Sequence, residues 1–152
     1  MPIEIDQSIK IEQTNKDTII ALSNNQQRSV ILSAMIKRKA IAWLRQHRRN
    51  KKTIHPRIFA AGLFILLGPC LEGIHRNRET VIIDTEYSGF DNEIKAMLIR
   101  HIHNAGIRLH KETIFFAQVG DCRAHDIAWK VNRGLLVPDH SVTEGELMRL
   151  VK

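Results

Sequence analysis

Between Thr18 and Leu71 the sequence has no aspartate or glutamate at all. The same stretch holds ten basic residues, whereas residues 1–17 sum to −2 and residues 72–152 to −1. The net charge of +7 on 152 residues is therefore concentrated in one third of the chain, the pattern of a surface that meets a polyanion. A solvated basic face kept for solubility would look similar, but it gives no reason to leave out carboxylates over so long a stretch. Cysteine is scarce too: Cys70 and Cys122 are the only two, which excludes a disulfide framework and suggests a reducing compartment, the cytoplasm. The longest apolar run, Ile58 to Leu67, has ten residues, half of what a membrane-spanning helix needs (about 20), so a core helix is expected and no membrane partner. The opening MPIEIDQSIK is polar and acidic, unlike a signal peptide. Aromatic residues make up 5%, too few for a platform on which single-stranded bases stack. With 43% apolar and 26% charged residues, what remains is one globular domain of ordinary composition.

Hydrophobic periodicity divides the chain into a polar N-terminal arm, 1–17, and a single α/β domain, 18–152. Thr18–Ser23 and Ser29–Ser33 read as a hairpin across the turn Asn24–Gln27. Ser33 can cap a basic amphipathic helix running to about His47, and Pro56 opens a second helix, apolar on nearly all sides, that Gly68-Pro69 breaks or kinks. Thr80–Tyr87 and Thr113–Val119 are strands, the second taking Phe115 and Phe116 into the core. A helix from Phe90 to Ala105 joins them, another follows over Ala124–Arg133, and overlapping capping boxes at Ser141–Glu146 start a short last helix. The expected fold is α/β: a mixed sheet with an N-terminal hairpin, a β-α-β-α parallel portion and helices on the faces.

In such a sheet, ligands gather beyond the carboxyl ends of the parallel strands. Asp84 and Glu86 lie there, two residues apart, so both side chains leave one face of the strand. Paired carboxylates suit a hard cation such as Mg²⁺ or Mn²⁺, though solvated acids at a strand end would have the same sequence. Asp126, in the first turn of the helix after the second strand, could converge on them; helix-dipole stabilisation also accounts for it. His125 beside it is either a general acid–base or simply exposed.

The run Ile-Asp-Thr-Glu-Tyr (83–87), a helix, a strand, and a helix opening Ala-His-Asp-Ile-Ala-Trp (124–129) resembles the second half of the ribonuclease H-like superfamily. That superfamily carries one aspartate at the end of its fourth strand and another acidic residue on its last conserved helix, positions taken here by Asp84 and Asp126. The resemblance implies a metal-dependent nuclease in which Asp84, Glu86 and Asp126 hold two Mg²⁺ ions about 4 Å apart. It also implies a role for His125 in product release. The basic segment Lys37, Arg38, Lys39, Arg45, Arg48, Arg49, Lys51, Lys52 and Arg57 would dock the phosphate backbone of RNA or DNA, orienting it without reading sequence. The first half departs from the family pattern. It offers two early strands rather than three, has Asp17 just before a strand instead of an aspartate inside the first, and has no glutamate on its first helix.

Other metal patterns are weaker. Cys122-x-x-His125, His101-x-His103, Cys70 and His75 supply zinc-type ligands at spacings that match no zinc motif. Glu93-x-Lys95 falls on a helix, where residues two apart diverge. The alternative to a nuclease is a non-catalytic nucleic-acid-binding or assembly protein that uses the basic 34–57 segment alone.

Overall fold

Residues 2–48 and 50–152 are described by a computed structural model. Arg49, one of the expected phosphate contacts, lies outside the described residues. The strands are β1 (Ile3–Ser8), β2 (Thr18–Ser23), β3 (Gln27–Leu32), β4 (Val81–Asp84), β5 (Ile114–Ala117) and β6 (His140–Ser141). The helices are α1 (Ala34–His47), α2 (Ile54–Leu67), α3 (Leu71–Asn77), α4 (Asp91–Asn104), α5 (Arg123–Asn132) and α6 (Glu144–Val151). The strands form one mixed sheet in the order β5-β4-β1-β2-β3-β6. β1, β2 and β3 are antiparallel neighbours, while β4 runs parallel to β1 and to β5.

The expected α/β class and mixed sheet with parallel β4 and β5 are present, but the N-terminal arm is not an arm. Residues Ile3–Ser8 form a central strand, so the early part of the sheet has three strands rather than two. Ile3 and Ile5 are buried in the main core while Glu4 and Asp6 leave the opposite face, the period-2 alternation of a strand with two differently used sides. β2 is buried along its whole length, as a strand covered on both faces must be: Ile20 and Leu22 join the main core, and Ile19 and Ala21 meet α5.

The two faces are covered unequally. On one, α2 sits at the centre of a helical layer with α1, α4 and α6, and nearly the whole hydrophobic core lies beneath it. Gly62 permits the close approach of α2 to the sheet: a Cβ there would stand 2.7 Å from Ile20 Cδ1. The helical run Lys51–Asn77 is long and apolar enough to cross a membrane, yet 61% of its most apolar window is buried inside the fold. The Gly68-Pro69 break is taken as a single 3-10 turn, after which α3 continues to Arg78, whose left-handed backbone ends it. The other face carries α5 alone, packed on β1, β2 and β3 through Ala124, Ile127, Ala128 and Val131. The β4–β5 side of that face has little cover, which leaves Phe115 49% exposed instead of in the core.

Candidate metal centre

The parallel register pairs Ile3 with Val81 and Ile5 with Ile83. Continued by one residue, it sets Asp6 beside Asp84, both on the face of the sheet that α5 partly covers. Glu86, two residues past Asp84, extends from the same side. Carboxylate oxygens of Asp6, Asp84 and Glu86 all lie within 4.8 Å of one another. The cluster therefore stands at the carboxyl ends of β1 and β4, where the two central parallel strands open into loops.

Each acid is held by a specific partner. Asp6 is 5% exposed; its Oδ1 accepts from the Gln7 amide at 2.8 Å and its Oδ2 bonds His125 Nδ1 at 2.8 Å. Asp84 Oδ1 accepts the Val119 amide at 2.9 Å, which ties β4 to the loop after β5. Around Glu86, Lys10 Nζ donates to the Glu86 carbonyl at 3.1 Å, and the Tyr87 hydroxyl accepts the Ile11 amide at 3.1 Å. These two bonds clamp the β1–β2 loop over the cluster, next to Ile9, whose φ of 66° is a left-handed conformation that a β-branched residue rarely adopts.

The electrostatics follow from crowding. Burial, then contact with Asp84, then the charge of Asp6 push the Glu86 carboxyl up to about 8, against a smaller opposing pull from Lys10. Burial also raises Asp6, partly offset by its bonds to His125 and the Gln7 amide. Three acids this close cannot all ionise without a compensating cation, so Glu86 keeps a proton at neutral pH. A site with spare oxygen donors that holds a proton for want of positive charge fits a hard divalent ion such as Mg²⁺ or Mn²⁺.

Of the residues expected from sequence, Asp84 and Glu86 are brought together and His125 reaches them through Asp6. Asp126 is not in the group: one residue further round α5, it is exposed and its Oδ2 pairs with Lys130 at 3.0 Å. Its place is taken by Asp6, which sequence reasoning missed. A signal was present, since Ile3-Glu-Ile-Asp6 repeats the apolar-x-apolar-Asp pattern of Val81-Ile-Ile-Asp84. Cys122 is not part of the carboxylate group: its sulfur caps α5 by accepting the His125 amide at 3.4 Å, while the His125 ring is turned to Asp6.

The basic segment is dispersed over the helical layer instead of walling the carboxylates. Lys37 is a correction: it is fully buried, its Nζ donating to the Gln13 carbonyl and Thr18 Oγ1, both at 2.9 Å, so it cannot meet a phosphate. Arg38 binds the Thr14 carbonyl and Lys39 pairs with Glu144 at 2.8 Å. Arg48 donates to the carbonyls of Val151 and Lys152, and Lys51 to that of Arg45. Arg45 and Lys52 are exposed, and Arg57 lines a cavity described below. The cation that bears on Glu86 is Lys10, from outside the segment. Comparison with family models, curated proteins and solved structures finds no match to this chain.

Proposed function

We propose that this protein is a metal-dependent nuclease of ribonuclease H-like type, hydrolysing phosphodiester bonds in RNA or DNA. The observation that carries the reading is the convergence of Asp6, Asp84 and Glu86, whose carboxylate oxygens lie within 4.8 Å of one another. Three early antiparallel strands and an aspartate within the first supply two of the family features expected of the N-terminal half, and Asp84 ends the fourth strand, while α1 carries no glutamate. Asp126 departs from that pattern, and His125 of the same helical turn faces the cluster in its stead.

Asp6, Asp84 and Glu86 would hold the metal; one or two Mg²⁺ or Mn²⁺ ions supply positive charge that polarises a phosphoryl oxygen and acidifies water. The chain's own groups do the rest. Glu86, raised by burial and by its neighbouring carboxylates, would release its proton on holding a cation. His125, with Nδ1 turned to Asp6, is half-exposed. It can carry a proton to or from the reacting phosphate and aid product release. Lys10 fixes the loop beside Glu86, and Phe115 offers an exposed apolar surface on the same face of the sheet. Two free thiols fit a reducing, cytoplasmic setting.

The test is cleavage of labelled single-stranded, duplex and hybrid oligonucleotides with Mg²⁺ or Mn²⁺. Cleavage by the wild type that is lost in Asp6→Asn and Asp84→Asn supports the reading. Salt-sensitive binding without cleavage under any metal would favour the non-catalytic binding protein, an alternative supported by the spread of basic residues away from the carboxylates.

A further inference from the structure

On the helical side of the sheet, α2, α4 and α6 border an open cavity of about 770 Å³, within the range of small-molecule sites. Five cations line it: Arg48, Arg57, Arg100, Arg149 and Lys152. Glu146 is the one acidic side chain among these lining residues, and it is already engaged, accepting from His140 Nε2 at 2.8 Å and from the Thr143 amide at 2.8 Å, while Arg48 Nη2 donates to the backbone oxygens of Val151 and Lys152. Arg57, Arg100 and Arg149 have no ion pair among the described residues. The Nε atoms of Arg48 and Arg57 are buried without a hydrogen-bond partner among those residues.

Buried, unpaired guanidinium nitrogens are costly, and several cations gathered without acids repel one another. Burial, then the charges of Arg48 and Arg100, lower Arg57. Burial, then Arg100 and Arg57, lower His101 and favour the neutral imidazole, whose ring tilts against Phe64 at 5.7 Å. A group that brings several anionic oxygens relieves all of these at once, and guanidinium forks match phosphate best. Phe64, Ile65, Met97 and Leu150 add an apolar part to the wall, beside the polar Asn104. A duplex backbone has nothing to put against such a wall, whereas a base or other flat ring does.

We propose that this cavity is a binding site for a phosphate-bearing small molecule of nucleotide size, separate from the carboxylate cluster on the other face of the sheet. Its polyphosphate would lie among Arg48, Arg57 and Arg100, with its ring against Phe64 and Met97. The proposal stands whether or not the carboxylates cleave nucleic acid.

The experiment is a thermal-shift and calorimetric titration of the full chain with ATP, inorganic pyrophosphate and a short DNA duplex. EDTA is present to keep cations off the carboxylates. ATP at about 1 mM is expected to raise Tm by roughly 3 °C or more, with pyrophosphate binding more weakly for want of the ring. Arg57→Gln and the charge reversal Arg100→Glu should each weaken ATP binding about tenfold or more, while Asp84→Asn leaves it unchanged. Arg100 is exposed, so its variant keeps the test valid if Arg57→Gln fails to fold. Absence of binding by ATP and pyrophosphate, equal binding by Arg100→Glu, or an Arg100-dependent affinity for duplex alone would each overturn the proposal.

Discussion

The two faces of one sheet have been put to opposite electrostatic use. On the face that α5 half covers, three carboxylates crowd together and one of them keeps its proton. On the face under the helical layer, arginines crowd a cavity and leave guanidinium nitrogens unpaired. Neither cluster neutralises the other: the carboxylates belong to β1, β4 and the segment after β4 on one face of the sheet, the arginines stand on or beside the helices that cover the other face, and the apolar core lies between. Charge unbalanced within the chain is charge available for a ligand: a cation on one side, an anion on the other.

Substitutions can break or sharpen that contrast. The largest effect is expected at the acidic face, where Asp6→Asn or Asp84→Asn should each lower Mg²⁺-dependent cleavage by roughly 10³-fold or more, read by single-turnover kinetics. On the helical side, Lys37→Ala should cost about 2–4 kcal/mol in denaturant unfolding, since it opens a cavity and strips partners from Gln13 and Thr18. Lys39→Ala, by contrast, should cost about 0–1 kcal/mol, because its pair with Glu144 is exposed.

Glu86 separates the faces by pH. Its folded value of about 8 lies above its ordinary one, so the folded chain holds a proton that the unfolded chain has released. The sign is therefore definite: metal-free stability is greatest near and below the unfolded value and falls as pH rises toward 8. Glu86→Gln should remove most of that slope and raise the metal-free Tm at pH 8 by about 3–6 °C, measured by calorimetry in EDTA. The smallest effect is predicted at Asp126: Asp126→Asn loses one exposed i,i+4 pair, worth about 0.3–0.5 kcal/mol, and should leave cleavage within about threefold of wild type.

Much of the fold was legible because local patterns suffice for it. β4 and α4 carry clean periodicity, and α1 and α6 carry clean caps: Ser33 accepts the Ile36 amide as expected, and Thr143 with Glu146 closes a capping box. β1 was not legible, because its outward positions are Glu4 and Asp6 and only two isoleucines alternate with them. Its identity as a strand rests on pairing with β2 and β4, contacts remote in sequence. With β1 hidden, Asp6 was hidden too, and the site lost its most buried acid. Lys37 misled for a related reason: it shares the α1 stripe with Ala40, Ile41 and Leu44, but its charge suggested solvent. Choosing between His125 and Asp126 turned on one residue of helix phase, which the packing of Ala124, Ile127 and Ala128 fixes and composition does not.

The most direct test is calorimetric titration of the wild type with Mn²⁺ at pH 7 in buffers of differing ionisation enthalpy, repeated on Asp84→Asn and Glu86→Gln. The carboxylate site predicts binding coupled to release of up to one proton in the wild type, none in Glu86→Gln, and affinity lowered at least about tenfold in Asp84→Asn. Mn²⁺ binding with no proton release, or with the same affinity in Asp84→Asn, would contradict it.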